Sequence, residues 1–147
     1  MRYLPGRFPL VRIMAYLWAA PNTALGLVLL LPIMLAGGKC RIVAGVCEGH
    51  GRIADWMLGR CRLFRCAQAI TLGHVVIGRS AAMLEALRPH ERVHVRQYER
   101  WGPLFLPAYF LAGAALALRG RNAYLDNPFE REAYRQTPRR APASGKG

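Results

Sequence analysis

Two histidines and a glutamate at residues 90–94 form the pattern H-E-x-x-H, made by His90, Glu91 and His94. On an α-helix, residues i and i+4 lie on one face, so the two imidazoles can bind a single metal ion. Glu91 lies about 100° round the helix, where its carboxylate can hold a water molecule without binding the metal. The pattern predicts a metal centre with Glu91 as its catalytic base. The alternative is a polar turn of an Arg-rich surface helix.

The residues around this pattern predict the helix that carries it. Pro89 suits the first turn of a helix, where its missing N–H is not needed, so we expect a helix from about Pro89 to Trp101. A separate short helix is expected over residues 81–87, capped by Ser80. One face of the longer helix follows the spacing of a buried stripe, with His90, His94, Gln97, Tyr98 and Trp101. Arg92, Arg96 and Glu99 are expected to face solvent.

A catalytic zinc site usually has three protein ligands, so a third must come from elsewhere in the chain. The metzincin continuation G-x-x-H is excluded, because Gln97 and Arg100 occupy the positions of its Gly and His. Carboxylates occur again in the string F-E-x-x-A at residues 129–133, which contains Glu130 and Glu132. Pro128 can open a helix there.

Together the two strings, which lie within residues 89–134, resemble the gluzincin-type zinc metallopeptidases, including thermolysin and the membrane prenyl-protein endopeptidases. In that family a later helix carries E-x-x-x-D, often within F-E-x-x-A-D, and its Glu is the third ligand. The resemblance implies that Zn2+ is bound by His90, His94 and Glu130. Glu132 is the alternative ligand; it lies about 200° further round the helix, so both carboxylates cannot face one metal.

This chain departs from the family string at Tyr134, which stands where the family has an Asp that supports a histidine ligand. A nearby carbonyl or Asp126 is expected to take over that support. The strings H-E-x-x-H-x-x-Q and N-P-F-E are also similar to small bacterial membrane proteins with a peptidase-like core.

The resemblance implies a hydrolase that cuts a peptide or protein substrate, with Glu91 as general base. The run Ile70–Ile77 is expected to form a strand beside the metal-binding helix and to pair with an extended substrate. The alternative function is a non-enzymatic, Arg-rich membrane protein in which H-E-x-x-H is incidental or structural.

Residues 13–38 contain no charged side chain and are preceded by Arg2, Arg7 and Arg12. At about 1.5 Å per residue this run is long enough to cross a hydrocarbon core of about 30 Å. It predicts a retained membrane helix, broken near Pro21 and Asn22, and a location at the bacterial inner (plasma) membrane. A buried helix of a soluble protein is the alternative.

A second apolar run, residues 101–118, separates the histidines from Glu130. A straight transmembrane helix over this run would carry Glu130 about 27 Å away from them, whereas zinc ligands lie within about 2.2 Å of the metal. The zinc hypothesis therefore requires the run to be re-entrant, interfacial or buried.

The basic composition has several possible meanings. The chain has 147 residues, a formal charge of +13 and 53% hydrophobic residues. Its arginines are scattered and no nucleic-acid-binding module is recognisable, so no nucleic-acid partner is expected. Cys40, Cys47, Cys61 and Cys66 lack the C-x2-C spacing of zinc ribbons. Two disulfides are possible in an exported chain, but small buried residues are the favoured interpretation, and no function is assigned to them.

We expect an α+β fold made of an N-terminal membrane helix, a small β-sheet, a zincin-like active-site helix and a second ligand-bearing helix. Two short strands or a β-hairpin are expected around Arg41–Val46 and Cys61–Cys66. A strand is also expected over Ala69–Gly78, where β-branched residues are bounded by glycines. The domain boundaries follow as a membrane anchor (1–38), a zincin-like domain (39–135) and a disordered basic tail (136–147).

Overall fold

The computed structural model describes residues 9–60 and 67–137. The fold is α+β with an apolar N-terminal helix and a small sheet, as predicted. Its elements are α1 (Pro9–Leu35), β1 (Lys39–Val43), β2 (Val46–His50), α2 (Arg52–Arg60), β3 (Ala69–Leu72), β4 (Val75–Gly78), α3 (Ala81–Trp101), a 3-10 turn (Gly102–Leu104), α4 (Phe105–Leu118) and α5 (Pro128–Gln136).

The four strands form one mixed sheet in the order β1-β2-β4-β3. β1 and β2 form an antiparallel hairpin, β2 pairs with β4 in parallel, and β3 and β4 are antiparallel. A strand is present around Arg41–Val46, as predicted, but it ends at a turn and is paired with β2. The prediction of one strand over Ala69–Gly78 is wrong, because that run also contains a turn. Ala44 and Gly45 have φ of 47° and 79°, and Gly73 has φ of 60°, a conformation that ends a strand. The strand predicted at Cys61–Cys66 lies outside the described residues.

Helices cover both faces of the sheet. Along β4, Val75 and Ile77 belong to a cluster with residues of α1 and α2, whereas Val76 packs in a cluster with Leu84 and Val95 of α3. Successive strand residues point to opposite faces, so α1 and α2 lie on one side of the sheet and α3 on the other. All four residues of β4 are consequently buried.

Helix α1 runs from Pro9 to Leu35 without the break predicted near Pro21 and Asn22. Pro21 has no backbone N–H to donate within the helix, and it lies on the exposed face. The missing hydrogen bond is therefore on the side of α1 that points away from the sheet. Asn22 is buried, and its side-chain amide donates to the carbonyl of Gly102 at 2.8 Å. Packing on the inner face therefore continues through the proline.

Helix α3 is continuous from Ala81 to Trp101, so the prediction of two helices that meet at Pro89 is wrong. Ser80 does cap it, since its hydroxyl accepts from the backbone N–H of Met83 at 3.2 Å. Leu84 and Val95, on either side of the proline, belong to the same buried cluster on the sheet. This shared packing holds both halves of the helix against one surface despite the interior proline.

The chain reverses direction after α4. Gly113 lies against the carbonyl of Ala123, and the side-chain amide of Asn127 donates to the carbonyl of Tyr109 at 3.0 Å. The segment 119–127 therefore returns along α4, and α5 begins at Pro128, where a helix was predicted. Asn127 caps α5 by accepting from the backbone N–H of Phe129 at 3.1 Å.

Two helical stretches, Leu10–Leu35 and Ala81–Leu118, are long and apolar enough to cross a membrane, judged by length and composition alone. The second stretch contains α3, the 3-10 turn and α4. Of the predicted C-terminal tail, Gln136 belongs to α5, and residues 138–147 lie outside the described part of the chain.

Candidate metal centre

The structure brings the two histidines of α3 together with Glu130 of α5 in a buried group that can hold a metal ion. His90 and His94 are 7% and 8% exposed, and Glu130 is 3% exposed. The two Nε2 atoms are 3.2 Å apart. Glu130 places Oε2 3.3 Å from Nε2 of His90 and Oε1 3.4 Å from Nε2 of His94.

These distances match the spacing of ligand atoms around one small cation. Ligands about 2.0–2.1 Å from zinc at tetrahedral angles lie about 3.3–3.4 Å from one another. In addition, Oε2 of Glu130 is buried and has no hydrogen-bond partner among the described residues. An unpaired buried carboxylate oxygen is costly, and a bound cation would remove that cost.

Glu130 is held in its charged form. Burial alone would raise its pKa, but the adjacent imidazoles of His90 and His94 and the hydrogen bond from Tyr109 outweigh burial, and the pKa of Glu130 lies well below its usual value. The Tyr109 hydroxyl donates to Oε1 at 2.8 Å. The carboxylate therefore enters the site ionised, with Oε1 fixed by α4 and Oε2 unpaired.

Gln97 orients the imidazole of His94. The amide Nε2 of Gln97 donates to the carbonyl of Phe129 at 3.0 Å and to Glu132 Oε2 at 2.9 Å, so Oε1 of Gln97 faces His94. That oxygen lies 2.8 Å from Nδ1 of His94, which must carry the proton. The Nε2 lone pair of His94 is thereby directed into the metal group.

The support that was expected from a carbonyl or Asp126 comes, for His94, from the side-chain oxygen of Gln97. Asp126 instead accepts from Arg121 at 3.0 Å and from the backbone N–H of Asn122 at 3.2 Å. Gln97 stands three residues after His94 on the same face of the helix, a spacing visible in the sequence. The distant partners that orient its amide are not visible there.

Glu132 lies outside the metal-binding group, so the geometry favours Glu130 over it as third ligand. Its Oε2 accepts from Gln97, and Arg100 donates to both of its oxygens at 3.0 and 3.2 Å. Glu132 thus contacts the amide that orients His94 and is one side chain removed from the metal group.

Glu91 is buried beside the metal group without belonging to it. The hydroxyl of Thr71 on β3 donates to Oε2 of Glu91 at 2.7 Å. Oε1 of Glu91 accepts no hydrogen bond from the described residues. The carbonyl of Thr71 accepts from the Tyr98 hydroxyl at 2.9 Å, which ties β3 to α3 at this point.

Tyrosines surround the group, a feature that sequence reasoning missed. Tyr109 donates to Glu130, and the ring of Tyr134 lies 4.7 Å from that of His90. Tyr134 therefore contributes a ring against a histidine.

Arg92 does not face solvent as predicted. Glu48 of β2 is 2% exposed and accepts from Arg88 at 2.7 and 2.9 Å. Arg92 lies 3.4 Å from the same carboxylate and also donates to the carbonyl of Val43. A buried carboxylate on the neighbouring strand thus draws Arg92 inward, because buried charges need partners.

Comparison with protein-family models, with curated proteins and with solved structures finds no match.

Proposed function

We propose that this chain is a membrane-associated, zinc-dependent peptidase. The observation that carries the proposal is the convergence of His90 Nε2, His94 Nε2 and the unpaired Oε2 of Glu130, with Glu91 next to one of the histidines on α3. A buried donor set with this spacing and an adjacent carboxylate that is not a ligand is what metal-assisted hydrolysis requires.

The donor set favours zinc over harder cations. Two imidazoles and one carboxylate suit Zn2+, whereas Mg2+ and Ca2+ prefer sites made of oxygen ligands. Three protein ligands are typical of catalytic zinc sites, which keep a fourth position open. A zinc ion held here would polarise a substrate carbonyl and make water a better nucleophile at neutral pH.

The proton transfers fall to Glu91. Thr71 holds Oε2, which leaves Oε1 to accept a proton from the attacking water and to deliver it to the leaving amine. Among the described strands β3, which carries Thr71, lies at the edge of the sheet, and an extended peptide would pair along its outer side, where the Thr71 carbonyl is already held by Tyr98. The substrate class that follows is a peptide or protein segment in extended conformation.

One observation favours a second candidate, a non-enzymatic membrane protein with a structural metal or an incidental H-E-x-x-H. The donor residues His90, His94 and Glu130 are all buried, and Tyr134 lies against His90. Structural zinc sites are closed in this way, whereas catalytic sites admit water and substrate.

Elemental analysis of the purified chain, beside the double variant H90A/H94A, tests the metal centre. We expect about one zinc per chain, lost in the variant. Zinc absent from the wild type, or unaffected by the variant, would remove the enzyme hypothesis. Zinc present without peptide hydrolysis against a broad peptide library would favour the structural site.

The membrane assignment rests on α1 and α4, and we propose the bacterial inner membrane as the location. Both helices expose large apolar side chains, among them Leu17, Val28, Phe110 and Leu111. Recovery of the chain with the membrane fraction tests this assignment independently of zinc.

A further inference from the structure

Helix α1 is a structural layer of the domain along most of its length. Near its start, the Tyr16 hydroxyl donates to the carbonyl of Gly45 at 2.9 Å, in the β1–β2 turn. Near its end, Ile33 lies against Gly38 and Gly51 at the opposite end of the sheet. These contacts are 17 residues apart, which is about 25 Å along a helix. The sheet therefore lies beside α1 over a length close to the thickness of the hydrocarbon core of a bilayer.

Beyond Arg12, the outer surface of α1 is apolar. Residues 13–38 carry no charge, and α2, beside α1, adds exposed Ile53 and Trp56. The tryptophans Trp18, Trp56 and Trp101 are 48%, 59% and 39% exposed, although tryptophan is highly buried on average in soluble proteins. Exposed tryptophans are typical of a membrane–water interface.

The same geometry argues against α1 as a membrane span. If α1 crossed the bilayer, the attached sheet would lie at the depth of the hydrocarbon core. β1 is an edge strand with exposed residues, including Lys39 and Arg41. Open sheet edges do not occur against lipid tails, and charged side chains there are rare and costly.

Helix α4 is also unsuited to a crossing. Its 14 residues extend about 21 Å, short of the core of about 30 Å. Arg119 and Arg121 follow it directly, and the chain then returns along the helix. An upright α4 would place both arginines inside the hydrocarbon.

We propose that the chain lies in the plane of one membrane leaflet, with the outer face of α1, the exposed Ile53 and Trp56 of α2 and the exposed face of α4 inserted among the lipids. The exposed charged residues of α2, Arg52, Asp55 and Arg60, lie at the headgroups. The two apolar helices meet where Trp18 touches Gly102 in the 3-10 turn, which makes their surfaces continuous. Exposed basic residues flank these surfaces and fit a leaflet of anionic lipids: Lys39, Arg52, Arg60, Arg119 and Arg121. This arrangement rests on the proposed membrane association and not on zinc chemistry.

Thiol labelling of the full-length chain in sealed membrane vesicles of both orientations distinguishes lying from crossing. One variant, C47A/C61A/C66A, keeps only the exposed Cys40; a second adds R121C to a background lacking all four cysteines. Both carry an N-terminal epitope tag. We expect a membrane-impermeant maleimide and an added protease to reach Cys40, the R121C position and the tag from one and the same side.

Opposite sides for the tag and Cys40 would show that α1 crosses, and opposite sides for Cys40 and the R121C position would show that α4 crosses. Either result overturns the in-plane arrangement and leaves the metal centre untouched. A chain that stays in the soluble fraction, and does not bind vesicles containing anionic phospholipid, overturns this inference together with the proposed membrane association.

Tryptophan depth provides a second measurement that keeps all four cysteines. Leu25 lies near the middle of α1 and is 44% exposed. The variant W18F/W56F/W101F/L25W therefore carries a single tryptophan, at position 25. In vesicles of brominated phospholipids, we expect bromines near the membrane surface to quench the fluorescence of this tryptophan more strongly than bromines deep in the acyl chains. The matched control is W18F/W101F, whose single tryptophan is Trp56, and we expect the same order of quenching for it. Stronger quenching of L25W by deep bromines would overturn the proposal.

Discussion

The position of one carboxylate oxygen decides how α5 takes part in the metal centre. Oε1 of Glu130 is occupied by Tyr109, and Oε2 points to His90 without a hydrogen bond from the described residues. Glu132, two residues on, has both oxygens occupied by Gln97 and Arg100. The two glutamates should therefore respond differently to the same substitution.

We predict that Glu130→Ala lowers zinc affinity far more than Glu132→Ala. The first removes a ligand, whereas the second disturbs only a contact behind His94 and should cost at most about 10–100-fold. Competition with a chromophoric chelator measures both dissociation constants. Equal affinities in the two variants would contradict the assignment of Glu130.

Gln97→Leu should weaken zinc binding by about 10–100-fold, because Nδ1 of His94 loses the acceptor that orients the ring. Gln136→Leu is the matched control. Gln136 also donates to Glu132, at 3.1 Å, but it is exposed and bonds to no ligand histidine. The same chelator competition applies, and an effect of equal size in both variants would argue against a role for Gln97.

Glu91→Gln should keep zinc and lose hydrolysis by about 100- to 10,000-fold, the usual contribution of a general base. The amide keeps the shape and the Thr71 contact but cannot accept the proton. Glu85→Gln on the same helix is the control, since Glu85 is exposed and pairs with Arg41, away from the metal group. Peptide turnover and zinc content are measured together; a fully active Glu91→Gln would remove the proposed base.

At the scale of elements, a buried charge network joins the β1–β2 hairpin to α3. Glu48 accepts from Arg88 and lies close to Arg41 and Arg92. Burial raises the pKa of Glu48, but the hydrogen bonds and charge of Arg88, together with Arg92 and Arg41, more than compensate, and the net pKa lies below its usual value. The network thus couples the outer hairpin to the helix that carries the histidines.

Loss of the Glu48 carboxylate should destabilise the fold by about 1.5–3 kcal/mol, because the charge-assisted hydrogen bonds from Arg88 are lost and the half-buried Arg92 is left without its carboxylate partner. Glu85→Ala, which removes an exposed pair with Arg41, should cost less than about 1 kcal/mol. Denaturant unfolding of Glu48→Ala and Glu85→Ala in detergent measures both. Similar small losses would show that the network is dispensable.

The Glu48 network also predicts a pH dependence. Because the folded-state pKa is lowered, the stabilisation is fully present above the unfolded-state pKa, near 4.5, and is lost as pH falls through the folded-state value. The difference in unfolding free energy between wild type and Glu48→Gln should therefore shrink in acid. A difference that stays constant from pH 7 down to pH 3 would contradict this account.

At the scale of the whole molecule, the metal group joins two helices that are far apart in the sequence. His90 and His94 lie on α3 and Glu130 on α5, with α4 and its return segment between them. A ligand that binds only the folded chain raises its stability by mass action. The metal should therefore stabilise the docking of α5 as well as supply chemistry.

Removal of zinc by a chelator should lower Tm, and adding zinc back should restore it. At free zinc 100-fold above Kd the stabilisation is about 2.7 kcal/mol. Magnesium is the control and should not restore Tm, because the site offers two imidazoles. Thermal unfolding followed by circular dichroism is the measurement; a Tm insensitive to both metals would mean that the site holds none.

Local spacing made part of this site predictable from the sequence. His90 and His94 share a helix face because the helical repeat places i and i+4 together, and a helix opens at Pro128 because proline suits a first turn. The rotation of about 200° between Glu130 and Glu132 showed that the two carboxylates cannot face one metal, and the family resemblance selected Glu130 as the ligand. Each of these inferences depends on residues within a few positions of one another.

Contacts between distant elements decided the rest. Gln97, Thr71 and Tyr109 acquire their roles through Glu132, Glu91 and Glu130, partners that the sequence places 20 or more residues away. The course of α1 along the sheet has the same origin, since an uncharged run describes equally well a membrane span and a helix packed on a sheet with its outer face free. Hydropathy depends on composition, whereas the orientation of α1 depends on which of its faces the sheet buries, and only the tertiary structure contains that information.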